Sequence, residues 1–198
     1  MAGLYAERLA WRLMVESGDP VVYRVDAAPV PDTADQLPFA VTTIQPGSVG
    51  DELFMTRGHR HREPSGEVYV GLGGHGLMVL YDGDETRVVE ISPGTVAYTP
   101  PGWAHRSVNT GTEPFRFLAV HPGGVGQDHA SIAAGGCGAR VLRAGDGCRV
   151  VPARTGRSSG KRASTAEAGA PGEVHRSPAE ARREAGESRR RRRPAGSS

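Results

Sequence analysis

Between Val21 and Val151 the chain breaks into short runs in which apolar residues alternate with polar or small ones, each run closed by Gly, Pro, Asn or Asp. Such runs predict strands joined by turns rather than helices. The strands expected are 21–25, 39–44, 52–57, 67–72, 77–81, 86–91, 95–98, 105–109 and 115–121, with two more near 140–142 and 149–151. The breakers between them include Gly73-Gly74, Asp82-Gly83-Asp84, Pro93-Gly94, Pro100-Pro101-Gly102 and Gly111, all residues with turn chemistry. In the run from Glu67, strand alternation puts Glu67, Tyr69 and Gly71 on one face and Val68, Val70 and Leu72 on the other. A jelly-roll barrel accommodates both faces, one lining a ligand-holding interior and the other packing against a further layer. Ahead of the strands, Leu9, Trp11, Leu13, Met14 and Val15 among charged residues predict one amphipathic helix over 4–17, stopped by Gly18 and Pro20. It is expected to pack on the barrel exterior or on a second subunit.

Charge divides the chain in two. From Thr155 onward there are 11 Lys or Arg against 5 Asp or Glu, which leaves 13 against 17 before it, so the net charge of +2 averages two unlike segments. Residues 1–154 are expected to form the domain. Residues 155–198, rich in Arg, Ala, Gly, Ser, Glu and Pro, bury too little apolar surface to offset ordering entropy and are expected to be disordered. A mildly acidic domain gives no reason to expect nucleic-acid binding, and the run Arg189–Arg193 is read as solvated. Cys137 and Cys148 match no metal pair or disulfide framework and are read as free thiols. Apolar runs such as 77–81 fall far short of the ~20 residues that span a bilayer. Glu7, Arg8 and Arg12 interrupt any signal-peptide core, so a cytoplasmic protein is expected.

The candidate chemistry lies between Thr56 and His105. His59 and His61 are two apart, so on a strand both imidazoles project to one side. A break containing Pro64 and Gly66 would return the Glu67 carboxylate beside them, and His105 would close the set from a distant strand. A lone histidine would be read as a core residue; three with a carboxylate form a borderline ligand set for Fe(II), Mn(II), Ni(II), Co(II) or Zn(II). Two open octahedral positions would remain for adjacent substrate oxygens. Tyr69, in phase with Glu67, is expected to line the pocket.

Thr56-Arg57-Gly58-His59-Arg60-His61, Glu67-Val68-Tyr69, Pro100-Pro101 and Trp103-Ala104-His105-Arg106 with Asn109 resemble the cupin-type, archaeal-like glucose-6-phosphate isomerases. Asp19-Pro20-Val21-Val22-Tyr23, Pro46-Gly47 and Glu113-Pro114-Phe115 extend the resemblance, which covers about 19–132. It implies an all-β cupin fold, a double-stranded β-helix of the jelly-roll type. It further implies interconversion of glucose 6-phosphate and fructose 6-phosphate in glycolysis and gluconeogenesis, with His59, His61, Glu67 and His105 as metal ligands, Fe(II) the first expectation, and a homodimer. Phosphate-binding groups carried over are Tyr23, Thr42, Thr56 and the backbone of Gly58; strand alternation would turn Arg57 away from them. Glu67 and His105 are the expected catalytic residues, Glu67 as base. A metal-mediated hydride shift, with Glu67 only a ligand, stays open as the other route.

The chain departs from the family pattern at His121 and His129, where tyrosines are usual, at Gln127 for a histidine, and at Gly102 for an aromatic. These departures motivate one alternative, a non-catalytic cupin that binds sugar phosphate. The ligand set itself motivates another, a dioxygenase consuming O2.

Overall fold

β-Branched and aromatic residues alternate with small or polar ones along the middle of the chain, and the turns between carry Gly, Pro and Asp, so short antiparallel strands form. The structure, a computed structural model, describes residues 4–145, 147–153 and 164–165, with the side chains of 133–135, 164 and 165 excepted. Helix α1 is Arg8–Glu16. Strands β1 to β5 are Tyr23–Ala27, Phe39–Ile44, Ser48–Val49, Glu52–Leu53 and Arg60–His61. Strands β6 to β11 are Glu67–Gly73, Gly76–Tyr81, Thr86–Ile91, Val96–Thr99, Ala104–Asn109 and Phe115–Val120. After them come β12 (Gln127–Asp128), α2 (Ala130–Gly135), β13 (Ala139–Ala144), β14 (Gly147–Pro152) and β15 (Ser164–Thr165).

The strands form a five-stranded sheet in the order β1-β2-β11-β6-β9 and a four-stranded sheet in the order β10-β7-β8-β15, with β14-β13-β4-β3 and the pair β12-β5 beside them. Ile44, Tyr69, Phe115 and Phe117 of the first sheet share one core with Met78, Leu80, Val88 and Val108 of the second. This is the expected all-β jelly-roll barrel with one N-terminal helix. Ala10, Trp11 and Met14 of α1 pack against that core. Both cysteines are free, as read. Among the described residues no helix is long and apolar enough to cross a membrane.

Three expectations need correction. The strand expected over 52–57 stops at Leu53, and Thr56 to Gly58 lie in no strand. Gly58 has φ of +76°, and a Cβ there would sit 2.7 Å from the His105 carbonyl oxygen, so the chain bends where alternation had been assumed. The helix α2 was not expected, because its Ala-rich, Gly-ended run carries no amphipathic period. The apolar face of β6 is uncovered among the described residues, with Val68 38% and Leu72 47% exposed. Register sets Val41, Leu118, Val70 and Val96 in one row across this sheet, and Val120, Val68 and Tyr98 in the next. Of the stretch read as a disordered tail, Ser164 and Thr165 pair in parallel with β8, and the remainder lies outside the described residues.

Asn109 ties the barrel end together. Buried, it donates from Nδ2 to the carbonyls of Ile44 and Glu113, both at 2.9 Å, and its Oδ1 accepts the Gly111 N–H at 2.9 Å. Asn109→Leu strands those buried groups, and a loss of about 2–3 kcal/mol is expected in urea unfolding; a midpoint unchanged from the parent protein would refute the clamp.

Candidate metal centre and substrate cavity

His59 and His105 meet across an isolated antiparallel bridge, each N–H donating to the other's carbonyl, at 3.1 Å and 2.9 Å. His61 sits in β5, opposite Gln127 of β12. Glu67 opens β6 opposite Thr99. The turn Pro100-Pro101-Gly102, with Gly102 at φ +80° and the Trp103 N–H donating to the Pro100 carbonyl at 3.3 Å, delivers the chain to His105; proline then glycine at the two corner positions suits a type II turn. Gly102 therefore has a backbone reason to be glycine.

These segments bring all four expected ligands together. Glu67 Oε2 lies 3.0 Å from His105 Nε2, 3.4 Å from His61 Nε2 and 3.8 Å from His59 Nε2. The four ligand atoms are all within 4.8 Å of one another; donors on one ion at roughly 2.1 Å lie at most about 4.2 Å apart, a difference that small side-chain rotations would close. None of the four atoms has a hydrogen-bond partner of acceptable geometry, though each is buried. Buried polar atoms are rarely left so unless another group belongs among them. His61 Nδ1 faces the Ser65 carbonyl at 3.2 Å and His105 Nδ1 the Trp103 carbonyl at 3.3 Å. A carbonyl only accepts, so each Nδ1 carries the proton and each Nε2 offers a lone pair to the cluster.

The protonation states of His59 and Glu67 fit a cation. Burial, reinforced by the neighbouring His105, pushes His59 down to about 3, so its imidazole is neutral at neutral pH. Burial alone would raise Glu67, but His105 and His61 outweigh it and hold the carboxyl below the ordinary range. For His61 burial works downward, yet the Glu67 carboxylate beside it leaves the net shift upward.

The cluster opens on a cavity of about 650 Å³. Tyr23, Thr42, Thr56, Gly58 and Tyr69, the residues expected to meet substrate, all line it. Thr56 is held against β10, its N–H donating to the Ser107 carbonyl at 2.9 Å and its Oγ1 accepting the Ser107 N–H at 3.1 Å. Tyr69 packs its ring edge-on to His105 at 5.9 Å. Its burial pushes the hydroxyl well up, with Glu67 adding to the shift, so it stays protonated. The departing residues His121, Gln127 and His129 also line the cavity. His129 donates through Nδ1 to the Gly58 carbonyl at 2.8 Å and its ring lies 5.6 Å from that of His59, while the His121 ring lies 5.3 Å from that of His61.

Arg57, expected to turn away, lines the cavity as well. Ser107 and Phe117 line it too; Ser107 carried a signal in its phase with His105 on β10, whereas Phe117 is brought there by pairing of β11 with β2, opposite Thr42, which the sequence does not specify. The far wall, from Ala27 to Phe39, carried none.

A family model for glucose-6-phosphate isomerase matches residues 1–155. The glucose-6-phosphate isomerase of Thermococcus litoralis is 47% identical over 135 residues, 67% of this chain and 71% of that protein. That of Pyrococcus horikoshii is 44% identical over 153 residues, 76% of this chain and 81% of that protein. Among solved structures, a conserved Klebsiella pneumoniae protein with a double-stranded β-helix domain aligns with TM-score 0.43 and 19% identity, over 55% of this chain and 84% of that one.

Proposed function

Because the chain belongs to the glucose-6-phosphate isomerase family, we propose that it interconverts glucose 6-phosphate and fructose 6-phosphate with a divalent cation held by His59, His61, Glu67 and His105. The observation that carries this reading is the set of buried, unpartnered Nε2 and Oε2 atoms facing one point. Fe(II) is the ion proposed, with Mn(II), Ni(II), Co(II) and Zn(II) suited to the same donors. When bound, such an ion supplies Lewis-acid polarisation of the substrate carbonyl.

The chain's own residues do the rest. Tyr23, Thr42, Thr56 and the Gly58 backbone hold the phosphate end, and Tyr69 walls the sugar. Glu67 takes the C2 proton of the aldose and returns it to C1, while the hydroxyl proton passes from O2 to O1. The alternative is a hydride moving from C2 to C1, with Glu67 a ligand only. The reaction assigns the protein to glycolysis and gluconeogenesis, and the charge that keeps sugar phosphates from crossing membranes assigns it to the cytoplasm.

We read 1–154 as the catalytic unit and 155–198 as an Arg-rich tail outside it. The uncovered apolar rows of the five-stranded sheet support a homodimer, since an apolar face of that extent is commonly covered by a partner.

The deciding experiment strips the metal, restores each divalent ion singly and follows conversion of fructose 6-phosphate, on the full chain and on a chain ending at Arg154. Activity is expected to vanish with chelator, return with iron or manganese, and be equal in the two chains. Sugar-phosphate binding without turnover under every ion would overturn the isomerase reading, and oxygen uptake would replace it with a dioxygenase.

A further inference from the structure

We propose that Arg57 is the cation that pairs with the substrate's phosphate and so selects phosphorylated over free hexose; this rests on the isomerase reading of the cavity. A phosphate monoester carries close to two negative charges at neutral pH. The groups assigned to it so far, Tyr23, Thr42, Thr56 and the Gly58 backbone, are all neutral donors. The charged residues that line the cavity otherwise include two carboxylates, Glu67 and Asp32. Among the described residues lining it, Arg57 is the only lysine or arginine. A charge-assisted hydrogen bond is roughly twice as strong as a neutral one, and a guanidinium presents paired N–H groups that match two phosphate oxygens.

Local structure prepares Arg57 for this. Its backbone is fixed on both sides: Thr56 is bonded to Ser107, and Gly58 is turned at φ +76° against the His105 carbonyl. Its own carbonyl accepts a hydrogen bond from the Arg106 guanidinium at 3.2 Å. Its side chain is exposed and makes no ion pair with any carboxylate among the described residues. A guanidinium on an anchored backbone, in no ion pair among the described residues, is available to an incoming anion.

A second positive charge lies beneath the same turn. Arg106 is 4% exposed and its Nε has no partner. That Nε is 3.4 Å from where a Gly58 Cβ would be. The buried Glu52 carboxylate, whose charge acts on Arg106, is itself engaged by Arg140 at 3.1 Å. The field of Arg106 therefore acts on the turn from below while Arg57 meets the anion from the cavity side.

The test uses the full-length metal-loaded protein with Arg57→Ala and Arg57→Lys, read by steady-state kinetics on fructose 6-phosphate and by the thermal shift that inorganic phosphate produces. Arg57→Ala is expected to raise KM by about tenfold to thirtyfold, with the effect falling on KM rather than kcat, and to remove most of the phosphate-induced shift. Arg57→Lys should recover the larger part of both. An Arg57→Ala protein whose KM stays within about twofold of the parent and whose phosphate shift is unchanged overturns the assignment. So does a loss confined to kcat, or a parent protein that phosphate does not stabilise. If the parent binds phosphate through Arg57 but turns over no sugar phosphate, the charge pairing stands and the isomerase reading alone falls.

Discussion

His61→Ala is expected to empty the metal centre and to lower isomerase turnover by about a thousandfold or more. His61 is oriented by the Ser65 carbonyl at Nδ1, and its Nε2 lies 3.4 Å from Glu67 Oε2. Alanine removes one of four donors and leaves the backbone bridge that fixes His59 and His105 in place. The buried Glu67 carboxylate then loses a partner, so the cluster is expected to take up a proton rather than a cation. Metal analysis of the purified variant alongside rates measured with added iron or manganese checks this. Stoichiometric metal together with parental turnover would mean that the cluster is not the catalytic centre.

Glu67→Gln separates ligation from catalysis. The amide keeps the size of the carboxylate and one oxygen donor but neither the charge nor the basicity. Metal is expected to remain at saturating concentrations while kcat falls by roughly a hundredfold to ten-thousandfold, the range general base catalysis supplies. The imidazoles around Glu67 hold its carboxyl below the ordinary range, so it is a poor base while gripped and must loosen to accept a carbon-bound proton. Turnover in D2O gives an independent reading. Proton transfer through Glu67 places solvent deuterium on C1 of the fructose 6-phosphate formed, whereas a hydride shift carries the original hydrogen across. A metal-loaded Gln variant of near-parental rate, with no deuterium in the parent's product, would leave Glu67 only its role as a ligand.

What the sequence made legible was chemistry carried by residue type and short spacing. The pair His59 and His61, the return to Glu67, and the Pro-Pro-Gly turn before His105 each declare themselves locally. Strands 39–44 and 86–91 are found where the alternation put them. The failures share a cause: they depend on what a segment meets elsewhere in the fold. Thr56 to Gly58 read as strand because nothing in their composition announces that Gly58 must turn beneath His105. That single bend carried Arg57 from the expected exterior to the cavity. The apolar face of β6 read as packed, because the hydrophobicity of Val68 and Leu72 does not say whether the covering layer belongs to the same chain. Residues of the wall from Ala27 to Phe39 come near the ligand cluster only through the strand order β1-β2-β11-β6, which alternation alone does not specify.

The reciprocal bridge between His59 and His105 has a consequence for how readily an ion is taken up. Two ligands far apart in sequence are joined by paired peptide hydrogen bonds, so their separation is set by sheet geometry rather than by the ion that arrives. The entropy lost in closing that long loop is lost when the barrel folds, not at capture. For the ion proposed above, that part of the main chain would already be in place at capture, leaving side-chain rotation to fit the donors to its radius.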